Sequence, residues 1–149
     1  MNERRDFFDR LMSLPVLRLF LPFYRRHREA LLYLFFGVLT TGVSWGSFYL
    51  FCYPLGINEL IANALSWVAA VLFAFFTNRT WVFTARGNLL REILLFFAAR
   101  LTTLGIEEAL LFLFVTHLGL EAMIVKIAGN LLVLVLNYIF SKLIVFRKK

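Results

Sequence analysis

The sequence predicts an all-α membrane protein, with four transmembrane helices as two parallel-oriented helical-hairpin repeats, preceded by a short amphipathic basic segment. Of its 149 residues, 61% are hydrophobic and 17% aromatic, well above the apolar share of soluble domains. Its apolar runs reach the roughly 20 residues that a helix needs to cross a bilayer. Its basic residues lie at both ends of the chain and in one connection, as the positive-inside rule requires of a multi-pass protein.

The predicted spans are 30–53, 60–83, 93–118 and 122–145. Turn-forming Pro, Gly and Asn residues separate the first two spans, and a polar loop follows the second. We treat 30–149 as one four-helix transmembrane domain.

Residues 1–29 form a separate cytoplasmic segment, in which Phe and Leu alternate with seven arginines. Pro15 and Pro22 divide it into short pieces. The pattern fits an amphipathic segment lying on an anionic membrane surface. It equally fits a partly disordered basic tail that only sets orientation.

Charge sets the predicted orientation. Of the 16 Lys and Arg residues, seven precede the first span, three lie at or after the end of span two and before span three, and four lie at the carboxyl-terminal end of the chain. Both termini and the middle loop are therefore predicted to be cytoplasmic, in a single topology. The net charge of +7 lies beside apolar spans, so we expect anionic lipid headgroups rather than nucleic acid as its counter-charge.

Span three carries Arg100, Glu107 and Glu108 inside an apolar run. An ionised group near the centre of a span costs about 2.5 kcal/mol or more on insertion scales. Arg100 and Glu107 are seven residues apart and share one helix face, with Glu108 about 80° further round. That face should therefore point at protein, water or ligand.

Spans two and four carry polar stripes. In span four, Lys126, Asn130 and Asn137 fall within about 40° of one another at 100° per residue. Polar residues confined to one face of a membrane helix normally face inward, so we expect the bundle interior to gather these stripes. The stripe of span two consists of Asn63, Ser66, Ala70, Ala74 and Thr77.

Several functions are disfavoured. The sequence has no phosphate-binding Gly-x-x-x-x-Gly-Lys loop, no metal-ligand cluster and no nucleophile with a base, so we expect neither an enzyme nor a cofactor. Its single cysteine, Cys52, excludes an internal disulfide.

The two halves resemble each other. FFGVLTT (35–41) matches FFAARLTT (96–103) at its ends, the Leu-Gly turns at 55–56 and 118–119 correspond, and NRTWVF (78–83) matches SKLIVF (141–146). With Arg100 opening span three and Lys126 in span four, this order resembles the GtrA family of small four-span bacterial membrane proteins. One departure is Ala74, where an Asn matching Asn137 is expected.

The resemblance implies a function. Members of this family are expected to move a polyprenyl-phosphate-linked monosaccharide, with undecaprenyl phosphate as the carrier, across the bacterial cytoplasmic (inner) membrane. The outer-leaflet product would serve glycosylation of cell-surface polysaccharide or teichoic acid.

Such a substrate presents a phosphodiester, sugar hydroxyls and an apolar tail. Arg100 and Lys126 could take the phosphate in succession, and Trp45 or Trp67 could stack on the sugar. Equally, the charges could pair with one another, Arg100 could reach back to the cytoplasmic interface, and the tryptophans could only pack. Candidate partners for the hydroxyls are Asn63, Asn130, Asn137, Glu107 and Glu108.

Two other functions remain open. A non-transporting scaffold could recruit a membrane glycosyltransferase through the basic amino-terminal segment. A proton-coupled drug exporter would fit four spans with an intramembrane carboxylate, but Arg100 and Lys126 would repel cationic drugs. Four helices are few to enclose a sugar headgroup, so we expect a homo-oligomer, a dimer, with Gly42 and Gly46 as its close contact.

Overall fold

The computed structural model describes residues 7–12, 14 and 20–147, and within those ranges it contains helices and connections but no strand. Residues 112–117 and two other short segments are π-helical and directly continue an α-helix. The α-helices are α1 (Phe7–Met12), α2 (Leu21–Cys52), α3 (Glu59–Thr77), α4 (Leu89–Leu111) and α5 (Ala122–Phe140), and the π-helices are π1 (Asn78–Val82), π2 (Phe112–His117) and π3 (Ser141–Val145).

The chain divides into two compact units, Met1–Thr84 and Ala85–Lys149. The first contains α1 and the pair α2–α3, with π1, and is called hairpin one below. The second contains α4 and α5 with π2 and π3, and is called hairpin two. Each hairpin places two long helices side by side.

Three described segments are long and apolar enough to cross a membrane: Leu21–Cys52, Glu59–Val82 and Ile124–Val145. The chain is therefore a multi-pass membrane protein. Helix α4 with π2 is also long, but Arg100, Glu107 and Glu108 lie within it. That α4 also crosses the membrane, as the third of four spans in chain order, remains a prediction.

Helix α2 begins nine residues before the predicted start of span one. His27 interrupts it with φ −116° and ψ 18°, values outside the α-helical region. The helix bends there, which separates the arginine-rich first turns from the apolar length that follows. Residues 1–6, 13 and 15–19 of the predicted amino-terminal segment, Pro15 among them, lie outside the described residues.

Helix α1 packs against α2. The Phe8 ring lies 5.7 Å from the Phe35 ring and 5.6 Å from the Phe36 ring, both edge-on, an arrangement that aromatic pairs favour. An ion pair of 3.5 Å joins Asp9 to Arg28. Residues 7–12 are thus held by ring packing with an added ion pair, while their position relative to a membrane surface remains a prediction.

Helix α3 and π1 bury every fourth residue. This buried line runs from a fully buried Ala62 to the end of π1, and most of its members are small, which allows close helix packing in membranes. Four residues turn a helix by about 400°, so each step moves the line about 40° round the helix. Its members are Ala62, Ser66, Ala70, Ala74, Asn78 and Val82.

In each hairpin a π-helix, π1 or π3, is followed by an aromatic residue that packs against the first long helix of that hairpin. The Phe83 N–H donates to the Asn78 carbonyl at 2.8 Å, a bond across five residues rather than four. The Phe83 ring then lies 6.5 Å from that of Tyr33. In hairpin two, Phe146 donates to the Ser141 carbonyl at 2.9 Å, and its ring lies 6.0 Å from that of Phe96.

Candidate functional site

The candidate site depends on how α4 and α5 are aligned with each other in hairpin two. The Thr103 hydroxyl donates a 2.9 Å hydrogen bond to Asn137 Oδ1, and both side chains are buried. This bond fixes which levels of α4 and α5 face each other, because the two helices run antiparallel. At 1.5 Å per residue, Glu107 lies about 6 Å beyond this bond, toward the 118–121 turn, and Lys126 about 16 Å beyond it.

Arg100 leans away from the 118–121 turn. Its guanidinium carbon lies 5.0 Å from the centre of the Phe96 ring, one turn earlier on α4, as expected because helical side chains tilt toward the amino terminus. Phe96 is itself buried. The contact is a cation–π interaction, and the side chain remains half-buried.

The two carboxylates differ in exposure. Glu107 is half-buried and Glu108 is exposed. Glu107 lies four residues after Thr103 and therefore projects near the face that meets α5, whereas Glu108 is turned about 100° from Glu107. The predicted face shared by Arg100 and Glu107 is thus the one next to the buried Thr103.

The polar stripe of α5 divides in two. Asn137 is buried, whereas Asn130 and Lys126 are exposed. Buried residues on α5 and π3 recur at intervals of four or eight residues, so the buried line rotates relative to the stripe and lies about 100° from Lys126 at that level. The expectation that every member of this stripe faces inward is therefore wrong for Asn130 and Lys126. The buried members of the line are Val125, Gly129, Asn137, Ser141 and Val145.

Hairpin one contributes one predicted site residue, Asn63, which is exposed beside the buried Ala62. The other four members of the predicted stripe on α3 are buried as expected: Ser66, Ala70, Ala74 and Thr77. Of the candidate stacking residues, Trp45 is 74% exposed and Trp67 is half-buried.

The charged residues of hairpin two do not pair with one another in the described part of the chain. No ion pair there joins Arg100 or Lys126 to Glu107 or Glu108. In the same residues, no three His, Cys, Asp or Glu side chains gather as metal ligands.

Two contacts of this region were not predicted from the sequence, the hydroxyl of Thr103 on Asn137 and the ring of Phe96 under Arg100. The Leu-Thr-Thr element that occurs at 39–41 and again at 101–103 is a signal for the first contact, because it places threonines at similar positions in the two hairpins. The second follows only from the direction in which helical side chains lean.

Comparison with known proteins identifies the family. The chain is 34% identical over 154 residues to the cell wall teichoic acid glycosylation protein GtcA of Listeria monocytogenes, covering 100% of this chain and 99% of that protein. It is 33% identical over 121 residues to the uncharacterized membrane protein YwcD of Bacillus subtilis, covering 78% and 95%. It is 30% identical over 111 residues to the bactoprenol-linked glucose translocase of Salmonella phage P22, covering 74% and 88%. The model of the GtrA/DPMS transmembrane domain matches residues 32–146, and the chain belongs to this family.

Proposed function

We propose that this protein translocates a polyprenyl-phosphate-linked monosaccharide across the bacterial cytoplasmic membrane, for glycosylation of a cell-surface polymer. The names of its relatives support this proposal, since one is a bactoprenol-linked glucose translocase and another a teichoic acid glycosylation protein. The structural observation that carries it is a set of two cations and two carboxylates on the mainly apolar helices of hairpin two, which form no ion pairs with one another within the described residues.

The membrane arrangement proposed here has four spans, with α4 as the third and both termini in the cytoplasm. The positive-inside distribution supports it. A proposed duplication of the hairpin supports it too. Backbone hydrogen bonds of hairpin one have counterparts in hairpin two, between residues that lie 63 positions further along the chain. Leu55 donates to Leu50 and Leu118 to Leu113, and Ala62 donates to Asn58 as Val125 does to Glu121.

The two cations are suited to successive phosphate contacts. Helices α4 and α5 begin on opposite sides of the membrane in this topology, and side chains lean toward helix amino termini. Arg100 therefore reaches toward the cytoplasm, and Lys126 toward the outer surface. Guanidinium and ammonium groups bind phosphate by charge-assisted hydrogen bonds, so the phosphodiester enters at Arg100 and leaves at Lys126.

The polar groups between the cations serve the sugar. A hydroxyl without a partner in hydrocarbon costs several kcal/mol, so a moving headgroup needs donors and acceptors along its path. Glu107, Glu108 and Asn130 lie at levels between Arg100 and Lys126 on hairpin two, and Asn137 is held by Thr103 nearer Arg100. Asn63 is the corresponding exposed polar residue of hairpin one, and the polyprenyl tail stays in lipid throughout.

Two kinds of partner complete the proposal. Arg10, Arg25 and Arg26 are exposed at the cytoplasmic end of hairpin one, where anionic lipid headgroups lie. The protein assembles as a homodimer through the α2 face of Gly42 and Gly46, where no neighbouring atom of the described residues lies within 4 Å of an added Cβ. Crosslinking that yields only monomer in membranes would refute the dimer.

Reconstitution tests the function. Purified protein in liposomes with labelled polyprenyl-phosphate glucose should speed the appearance of label in the opposite leaflet, and replacing Lys126 by Ala should abolish the gain. Empty liposomes and liposomes with a denatured sample serve as controls. If the folded protein gives no acceleration with several sugars, the transport proposal is wrong.

A scaffold for a membrane glycosyltransferase is the second candidate, favoured by the exposed arginines at the start of α2. It predicts that deletion of residues 1–25 abolishes surface glycosylation, whereas Lys126→Ala leaves it intact. The transport proposal predicts loss with Lys126→Ala. Glycosylation of intact cells expressing each variant decides between the two.

A further inference from the structure

A half-open cavity of about 560 Å³ lies where α2 ends and α3 begins, and several of the residues that line it are exposed. It lies in hairpin one, at the opposite end from the arginines of α2, and is distinct from the charges of hairpin two. Its volume falls within the range of small-molecule sites in proteins. Its lining includes Phe48, Cys52, Tyr53, Asn58, Glu59 and Leu60.

The turn that shapes this cavity has a fixed backbone. Gly56 has φ +62°, a conformation that glycine adopts without strain, and the Ile57 N–H returns to the Phe51 carbonyl at 2.9 Å. Asn58 Oδ1 accepts from the Leu60 N–H at 3.0 Å and caps α3. The Asn58 oxygen is thereby engaged, which leaves its amide nitrogen to act as a donor.

The polar groups of the lining complement a sugar. Each sugar hydroxyl both donates and accepts, and here the Asn58 amide can donate while the Glu59 carboxylate can accept. Glu59 forms no ion pair within the described residues. The ring of Tyr53 and that of Phe48 supply the apolar faces on which a sugar ring packs.

A phosphate does not suit this cavity. No Lys or Arg lines it, and the carboxylate of Glu59 repels an anion. The selected chemistry is therefore a neutral, hydroxylated ring. The phosphate that joins this ring to its lipid therefore stays outside the cavity. Leu60, 81% exposed at the edge, offers an apolar surface for the lipid that follows the phosphate.

We propose that this cavity binds the monosaccharide ring of the lipid-linked substrate at the outer end of hairpin one, with Glu59, Asn58 and Tyr53 as its recognition groups. This inference rests on the proposed function for the identity of the substrate and for the side of the membrane. In the proposed topology this cavity opens toward the outer surface, so it would act as a release site.

Cys52 provides the test, because it lines the cavity, is half-buried and is the single cysteine of the chain. Detergent-purified protein is labelled with N-ethylmaleimide, with and without short-chain polyprenyl-phosphate glucose. At ten times the dissociation constant, labelling should slow by about tenfold, since the fraction of free sites falls in that proportion. Polyprenyl phosphate without sugar should give no protection.

Glu59→Gln should raise the dissociation constant about tenfold, because it removes the charged acceptor, so that protection at the same ligand concentration falls to about twofold. Tyr53→Leu, at an exposed position, is a second variant with the same expectation and no charge change. Glu121→Gln is the matched control, since it removes the carboxylate of the other outer turn and should leave protection intact. Gel filtration confirms that each variant is folded.

Equal labelling rates with and without the sugar lipid would overturn the inference, and so would equal protection by polyprenyl phosphate alone. The liposome assay runs beside this experiment on the same protein. Transport without protection of Cys52 leaves the proposed function standing and removes the release site. Protection without transport establishes the site and refutes translocation.

Discussion

The hydroxyl of Thr103 donates to Asn137 Oδ1 at 2.9 Å, across the buried contact between α4 and α5. The corresponding position to Asn137 in hairpin one is Ala74, and there the Thr40 hydroxyl instead donates to the Phe36 carbonyl of its own helix at 2.7 Å. Thr103 and Thr40, which are 63 residues apart, thus form different hydrogen bonds, the first between two helices and the second within a single helix.

Replacing Thr103 by Val should therefore destabilise the protein by about 0.6 to 2 kcal/mol, the range of interhelical hydrogen bonds in membranes. Chemical unfolding in mixed micelles measures the loss. A double-mutant cycle with Asn137→Leu should give a coupling free energy of similar size. Thr40→Val is the matched control and should cost less than about 0.5 kcal/mol. Equal losses at the two threonines would contradict the different roles assigned to them.

Ala62 is fully buried on the line where α3 packs closely. Ala62→Leu should force overlap and lower the free energy of unfolding by about 1 to 3 kcal/mol. Ala64, two residues on, is exposed, so Ala64→Leu should leave thermal unfolding in detergent almost unchanged. A similar melting temperature for both variants would mean that the buried line does not limit how closely the helices pack.

Ring packing should hold α1 more strongly than its ion pair. The Asp9 and Arg28 side chains are 32% and 24% exposed, and such pairs contribute about 0 to 1 kcal/mol. Aromatic pairs add about 0.5 to 1.5 kcal/mol beyond the area they bury. Phe8→Ala should therefore speed hydrogen exchange of residues 7–12 more than Asp9→Asn does. A larger effect of Asp9→Asn would show that charge holds the helix.

The proposed phosphate contacts predict that charge matters more than side-chain shape at two positions. Arg100→Leu and Lys126→Leu should each slow transport by about tenfold or more, the loss of one charge-assisted hydrogen bond. Arg100→Lys and Lys126→Arg keep the charge and serve as matched controls, with smaller losses. Initial transport rates in liposomes give the comparison. If Lys126→Leu and Lys126→Arg lose equally, Lys126 does not act through its charge.

Much of the fold follows from the residue pattern. The apolar runs predicted α3 and α5, and the small residues on α3 predicted its buried side, because close helix packing in lipid favours them. The stripe of Lys126, Asn130 and Asn137 was predicted as one face. It does lie on one face, yet only Asn137 is buried, because helices that cross at an angle meet along a line that rotates.

Other features carry no signal in hydropathy. The sequence matched FFGVLTT with FFAARLTT by their ends, which aligns Thr41 with Thr103. The hydrogen-bond pattern of the hairpins instead aligns Thr40 with Thr103, at the separation of 63 residues. The early start of α2 was also not predicted, because its first turns are rich in arginine and apolar pattern alone sets the predicted span.

The π-helices limit where residues can be inserted into or deleted from this chain. A π-helical turn accommodates one more residue than an α-helical turn, and π1 and π3 stand just before the aromatic residues that return to Tyr33 and Phe96. Deleting one residue from 78–82 would allow an ordinary α-helix, but it would also turn Phe83 by about 100° and draw it back by about 1.5 Å. Insertions and deletions should therefore be tolerated in the polar loop of residues 84–88 and rejected in the ten residues of π1 and π3.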